Sequence, residues 1–285
     1  MTGPGGLVVV GTPIGHLDDL SPRAAAHLRD ADLVACEDTR RTATLLRHAG
    51  AGTRMLAVHR HNEAARAAEL VERMRAGETV ALVSDAGMPL VSDPGARVVR
   101  AAIAAGLPVT VVPGASAVTT ALAASGLAGE AGFAFLGFVP RKGAERRAAM
   151  ERIGRLDAPA VLFESPQRLP ALLAELAAAW PERPVAVCRE LTKLHEEVVR
   201  GTAAELAARF TSPPKGEIAV VIGPAAAVSD IAEGDGRLRE ALGVLLDAGL
   251  GAGRAADVAA NLGIAARNRA YRAALALADE RRDET

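Results

Sequence analysis

Two rhythms of apolar and polar positions alternate along most of this chain. Short runs that are apolar at nearly every position are separated by longer stretches in which apolar residues return every three to four positions. GLVVVG (6–11) reads as a buried strand. Ser21-Pro22 then opens a helix through Asp30, with the serine oxygen as N-cap and the proline where its missing N–H costs nothing. DLVACE (32–37) is the next strand, and TRRTATLLRHAG (39–50) is a helix stopped by Gly50. RMLAVH (54–59), NEAARAAELVERMRAGE (62–78) and TVALVSD (79–85) repeat the pattern, followed by DPGARVVRAAIAAG (93–106) and PVTVVPG (108–114). Strands apolar on both faces and joined by helices imply a mostly parallel sheet covered by helices.

The rhythm breaks at SGLAGEAG (125–132) and resumes with a second set. FAFLGFV (133–139), a polar helix at 143–155, PAVLFES (159–165) and a helix at 166–179 come first. PVAVCRE (184–190), EEVVRG (196–201), a short helix at 202–209 and EIAVVIG (217–223) complete it. The expected fold class is therefore α/β: a first domain over 1–125, a second with a mixed sheet over 132–223, and a linker at 224–236. Three amphipathic helices, RLREALGVLLDAG, RAADVAANLG and AARNRAYRAALALADE, then make a small helical domain over 237–282. The last two have a helix-turn-helix rhythm with Gly263 at the turn and Arg267, Arg269 and Arg272 on the second helix. That face is either a solvated surface or a nucleic-acid contact.

Composition narrows the picture at a few points. Hydrophobic residues make up 50% of the 285 but aromatics only 2%, so the core must be built from Ala, Val and Leu. A formal net charge of -1 excludes a globally basic nucleic-acid binder but leaves room for local patches. Six arginines (Arg40, Arg41, Arg47, Arg54, Arg60, Arg66) face one acid, Glu63, within 40–66, and Arg141, Lys142, Arg146 and Arg147 form a second basic stretch. The two cysteines, Cys36 and Cys188, lie in apolar runs and read as buried, reduced thiols. With no signal-like start and no uncharged run near the ~20 residues that span a bilayer, a soluble cytoplasmic protein is expected.

Candidate chemistry gathers where strands hand over to helices. GTPIG (11–15), SDAGMPLVSDPG (84–95) and PGASA (113–117) pack glycine and proline at three such points, letting backbone groups approach a ligand closely. ACEDTRRT (35–42), FESPQR (163–168), RELTKLHEE (189–197) and KGE (215–217) each combine carboxylates and cations beside an apolar strand. A dinucleotide site is weakly supported, because GTPIG lacks the third glycine of GxGxxG, and no GK[ST] of a P-loop exists. Neither a GxSxG elbow nor a metal-ligand spacing among the histidines is present, so neither a hydrolase triad nor a metal is expected.

Taken in order, GTPIGHLDDLSPRA, ACEDTRRTATLL, SDAGMPLVSDPG, VPGASA, LGFVPRKG, FESPQR, RELTKLHEE and KGEIAVVIG resemble the ribosomal RNA small subunit methyltransferase I family of the tetrapyrrole methylase superfamily. The likeness covers 6–223 and, more weakly, the helical tail; His16 stands where the family usually has Asn, and Met88 where Thr is usual. The resemblance implies two α/β domains of the tetrapyrrole methylase type with S-adenosylmethionine between them, and a homodimer. It also implies 2′-O-methylation of a cytidine in the decoding region of small-subunit (16S) ribosomal RNA. Carried over by position, the cofactor meets Ile14, Asp85, Ala86, Gly87, Val91, Ser116, Ala117, Leu162, Leu191 and Ala219. RNA contacts are expected from Arg40, Arg41, Arg141, Lys142, Arg146, Arg147, Arg168, Arg189, Arg267 and Arg269.

A base that deprotonates the ribose hydroxyl would help the transfer. Lys193, if burial lowers its pKa, and Glu37, Asp85, Glu164, Glu190 and Glu217 are the candidates, with Glu190 and Lys193 preferred for sharing one loop. Two other readings remain open at this point: a methyltransferase of a tetrapyrrole or other small molecule, and a non-catalytic RNA-binding assembly protein.

Overall fold

The computed structural model describes residues 5–129, 132–225, 230–265 and 267–283, with side chains left out at 230–237, 268–269 and 279–283. Residues Met1–Pro224 form one compact unit and Ala225–Thr285 another.

The first unit holds two five-stranded sheets. In the first, β1 (Leu7–Val10), β2 (Leu33–Cys36), β3 (Arg54–Ala57), β4 (Val80–Leu82) and β5 (Val109–Val112) run parallel in the order β3-β2-β4-β1-β5. The crossovers are α1 (Pro22–Asp30), α2 (Thr39–Ala49), α3 (Glu63–Arg75) and α4 (Ala96–Ala104). Their ends follow local chemistry. The Ser21 hydroxyl accepts from the Ala24 amide at 3.1 Å, and Gly50 closes α2 in the left-handed region at φ 67°. Both faces of the sheet are packed, Leu7, Val9, Leu70 and Met74 on one side and Val10, Leu28, Val34 and Leu46 on the other. Because β4, β1 and β5 are neighbours, the three Gly/Pro turns at their carboxyl ends converge on one spot.

The helix α5 (Ala117–Ser125) leaves the last of these turns and packs on the second sheet, burying Val118 and Ala121 against Val161, Ala186 and Cys188. It thus belongs to that sheet's core, although it falls within the stretch 1–125. The second sheet runs β6 (Ala134–Phe138), β7 (Ala160–Glu164), β10 (Ile218–Ile222), β8 (Pro184–Arg189), β9 (Glu197–Thr202), with only the β6–β7 pair parallel. The helices α6 (Gly143–Arg155), α7 (Leu169–Ala179) and α8 (Ala203–Arg209) cover its other face over Leu162, Leu172, Leu176 and Val220.

The second unit is three helices, α9 (Asp230–Asp247), α10 (Ala252–Asn261) and α11 (Arg267–Asp283), around Leu238, Leu242, Ala255, Ala259 and Ala274. The first begins seven residues before the expected 237, inside the stretch read as a linker. Gly234 and Gly236 look like breakers in sequence, but each costs a helix only about 1 kcal/mol relative to Ala. No helix of the described residues is long and apolar enough to cross a membrane.

Candidate functional site

A cavity of about 370 Å³ lies where the convergent turns of the first sheet meet the second. Its near wall is Ile14, Ala86, Gly87, Val91, Ser116 and Ala117, and its far wall includes Phe163, Leu191 and Ala219. The turns can approach because they lack side chains. A Cβ on Gly11 would sit 2.6 Å from the Gly114 nitrogen, and one on Gly15 would sit 2.5 Å from Lys193 Cγ and 2.6 Å from Thr192 Oγ1. The His16 amide donates to Thr192 Oγ1 at 3.1 Å, so the first turn is fastened to the loop after β8.

The cavity takes in eight of the ten residues expected at a cofactor. Asp85 instead lines an adjoining cavity of about 180 Å³ with Thr12, Arg41 and Lys193, and its Oδ1 accepts from the Asp38 amide at 3.0 Å. Leu162 is a correction. Side chains alternate along a strand, and Leu162 is fully buried on the helix-covered face of β7. Its neighbour Phe163 faces the cavity, so the expected register was one residue off. Phe163 makes edge-to-face contacts with Phe135 and Phe138, ring centroids 5.0 and 5.8 Å apart, so three of the chain's five phenylalanines gather here.

The four non-glycine residues with left-handed φ among the described residues all lie in the two loops that close this site. They are Leu90 (76°) and Ser92 (71°) in one loop, and Glu190 (53°) and Thr192 (65°) in the other. Such conformations cost of order 1–3 kcal/mol each and persist where surrounding contacts over-determine them.

Glu190 and Lys193 do meet, but not as a base. Lys193 Nζ lies 2.8 Å from both Glu190 Oε1 and Glu217 Oε2, and the Glu217 amide donates to Glu190 Oε1 at 2.9 Å. Burial alone would lower the Lys193 pKa, yet the hydrogen bonds and charges of the two carboxylates outweigh it and hold the amine above its ordinary value. The hydrogen bond from Lys193, followed by that from the Glu217 amide, draws Glu190 down. A protonated ammonium and a low-pKa carboxylate locked together make a clamp, which corrects the expectation of a deprotonated lysine.

Proton-accepting character sits elsewhere. Asp93, on the cavity wall, is pushed up to about 6, first by burial and then by the charge of Glu37, with Asp85 adding and Ser84 and Arg60 opposing. Burial and the Asp85 charge raise Glu37 as well. Burial also raises Glu164, although its carboxylate accepts from the Ser165 amide at 2.8 Å and lies 3.1 Å from Arg168. Asp93 stands in a DPG that reads as a helix start, whereas α4 opens only at Ala96.

The expected RNA-facing cations divide into two groups. Arg141, Lys142 and Arg147 are exposed. Arg146 between them is held by Glu175 at 2.6 and 2.8 Å and by the Pro140 carbonyl at 3.0 Å. Arg168 is tied to Glu164 and the Val139 carbonyl, and Arg189 to Glu197 and the Lys215 carbonyl. Arg40 pairs with Asp38 at 2.8 Å while staying 89% exposed, and Arg41 leans toward Asp85 at 3.7 Å. Arg267 pairs with Asp257 at 2.6 Å, and the Arg269 side chain lies outside the described residues. Glu63, the lone acid of the basic stretch, is buried and accepts from the Gly95 and Arg97 amides at 2.9 and 2.7 Å. It caps α4 and braces the loop that carries Asp93.

Known proteins share this build. A family model described as Tetrapyrrole (Corrin/Porphyrin) Methylases matches residues 6–207. The ribosomal RNA small subunit methyltransferase I of Mesorhizobium japonicum is 43% identical over 276 residues, 96% of this chain and 92% of that one. Its namesake in Mycobacterium tuberculosis is 44% identical over 225 residues, 78% of this chain and 79% of its own. Among solved structures, uroporphyrin-III C-methyl transferase from Thermus thermophilus complexed with S-adenyl homocysteine superposes with TM-score 0.57 at 22% identity, covering 79% of this chain and 100% of that one. The methyltransferase CobJ gives 0.60 at 21%, over 78% and 95%. A parallel sheet and a mixed sheet closing on one glycine-walled cavity, under this degree of sequence likeness, mean that the chain belongs to the tetrapyrrole methylase family and, within it, to the ribosomal RNA small subunit methyltransferase I group.

Proposed function

We propose that the protein is an S-adenosylmethionine-dependent methyltransferase of small-subunit ribosomal RNA that methylates the ribose 2′-hydroxyl of a cytidine in the decoding region. The single observation that carries the reading is the glycine-walled cavity between the two sheets. Its residues suit the cofactor: about 370 Å³ is the size of a small-molecule site. The Phe163 group offers a face for a purine, and Ile14, Val91, Leu191 and Ala219 offer apolar walls. Exposed Glu217 on the wall brings a carboxylate toward a positively charged ligand. When bound, S-adenosylmethionine supplies an electrophilic methyl group on a positively charged sulfur.

The residues of the chain provide position and a dry pocket. The Lys193 clamp and the His16–Thr192 bond fix the mouth of the cavity, and a rigid mouth holds an incoming hydroxyl in line. Exposed Arg40, Arg141, Lys142 and Arg147 are placed to meet phosphates, and a homodimer would extend that surface. The relatives named for ribosomal RNA are about twice as identical to this chain as the tetrapyrrole enzymes, which favours RNA over a small-molecule acceptor.

The test is transfer of a labelled methyl group from S-adenosylmethionine to unmodified small subunits, followed by nucleoside analysis. Labelled 2′-O-methylcytidine is the expected product. Label on a base, or on no RNA while the cofactor still binds, would overturn the reading.

A further inference from the structure

We propose that Asp93 is the base that takes the proton from the attacking hydroxyl, an assignment that rests on the ribose-methylation reading above. The acceptor of this proton must reach the cavity, must be free of a cation that fixes its charge, and must hold its position. Each carboxylate near the site can be checked against those needs.

Glu190 and Glu217 share the Lys193 ammonium. Glu164 borders the cavity, but its side chain is fully buried, paired with Arg168 and accepting from the Ser165 amide. Asp85 lines the adjoining cavity, with one oxygen taken by the Asp38 amide and the other facing Arg41. Glu37 does not line the main cavity. Asp93 does line it, and it forms no ion pair among the described residues.

Its position is built. The loop runs through left-handed Leu90 and Ser92, and Arg60 donates to the Ser92 carbonyl at 2.9 Å. Just beyond Asp93, Gly95 turns at φ 121° and is pinned through its amide to buried Glu63. Strain of this kind, supported from both sides, fixes a carboxylate that solvation would otherwise draw outward.

The charged groups around it set its affinity for a proton. Glu37 from the end of β2 and Asp85 from the end of β4 repel its negative form, while Arg60 after β3 and the Ser84 hydroxyl favour it. His59 stands beside Glu37, and Glu164 and Glu217 border the same cavity from the second sheet. The sum places the group near 6, so it is ionised at neutral pH yet basic enough to accept a proton. In the step itself the hydroxyl oxygen forms a bond to the methyl carbon as the sulfur–carbon bond breaks. The electron pair of that bond stays with sulfur, the hydroxyl proton passes to Asp93, and it is then lost to water.

The experiment compares wild type, Asp93→Asn and Asp93→Glu in single-turnover methylation of small subunits across pH. It is paired with S-adenosylhomocysteine titration calorimetry and carbon NMR of the aspartate carboxyls in the ligand-free protein. Wild-type rate should rise with pH through about 6 and then level, and one carboxyl resonance missing from Asp93→Asn should titrate near the same pH. Asp93→Asn should lose at least about 100-fold in rate and the acidic limb with it. Its affinity for S-adenosylhomocysteine should stay within about threefold of wild type, and Asp93→Glu should recover part of the rate. An Asn variant within about threefold of wild type, or one that keeps the acidic limb, overturns the assignment while leaving the ribose reading intact. Wild-type protein that binds S-adenosylhomocysteine but methylates no RNA overturns the ribose reading itself, and the assignment with it.

Discussion

Two charged clusters flank one cavity, and they are built to opposite plans. Between the loop after β8 and the start of β10, Glu190, Lys193 and Glu217 satisfy one another at 2.8 Å, and a backbone amide closes the set. In the turns after β2 and β4, Glu37, Asp85 and Asp93 crowd together with Arg60 and Arg41 only partly compensating. The first arrangement lowers the energy of every charge in it, so it fastens loops. The second keeps a carboxylate at a cost, and an uncompensated charge beside a ligand cavity is the physical signature of a working group rather than a structural one.

The comparison breaks most sharply at the braces. Glu63→Ala removes the one oxygen, Oε1, that accepts from both the Gly95 and the Arg97 amides and leaves the two donors without it, a change expected to cost about 2 kcal/mol. It should also loosen the Asp93 loop, so that water reaches the carboxylate and the acidic limb of the rate moves below 6. Urea unfolding and the rate–pH profile read the two effects. A destabilised variant whose limb stays in place would show that the loop is not held by Glu63.

Lys193→Met tests the satisfied cluster. It leaves Glu190 and Glu217 as neighbouring like charges, but Glu217 is 62% exposed and solvent screens the repulsion, so the loss should be about 1–2 kcal/mol. At saturating cofactor the acidic limb should remain where wild type has it, because the lysine is a fastener. Disappearance of a rate limb in this variant would return Lys193 to the chemistry.

The crowded cluster predicts the opposite sign. A carboxylic acid raised from 3.8 to about 6 on folding takes up protons in the native state, so stability falls as pH rises between those values. Asp93→Asn removes that cost at neutral pH. The ceiling is ~3 kcal/mol, and screening at a half-buried group brings the expected gain to about 1 kcal/mol at pH 7. The gain should vanish below about pH 4, where the acid is protonated in both states. An Asn variant that is less stable than wild type at pH 7 would mean that Asp93 is structurally satisfied after all.

Legibility in the sequence follows the same division. Strand ends rich in Gly and Pro announce themselves by composition, and turns from β1, β4 and β5 can meet only if those strands are neighbours, so the near wall of the cavity was readable. Which face a strand residue takes depends on register, and one step separates Leu162 in the core from Phe163 at the cavity. The Asp93 shift combines burial with the charges of Glu37 and Arg60, 56 and 33 positions away, beside the nearby Ser84 hydroxyl and Asp85 charge, and no local pattern carries that sum. Glu63 looks like any helix-start acid in sequence, yet its amide partners lie 32 and 34 residues on. The early start of α9 was hidden by two glycines that helix packing tolerates.

The smallest effect belongs to the cations. Arg141 and Arg146 are five positions apart and indistinguishable as letters in a basic stretch, but one is exposed and the other is tied to Glu175 and Pro140. If exposed cations meet the RNA backbone as point charges, Arg141→Gln should leave the unfolding midpoint unchanged. It should weaken RNA binding modestly and reduce the slope of log affinity against log salt by about 1. Arg146→Gln should instead lower the unfolding midpoint, since it strands a carboxylate that a partly buried guanidinium had neutralised. Its effect on the salt slope should be smaller than that of Arg141→Gln. Identical salt slopes in the two variants would mean that the RNA reaches under α6 and pulls Arg146 from Glu175. The satisfied pairs would then be a reserve of binding charge rather than fasteners, and the contrast between the two clusters would no longer separate structure from function.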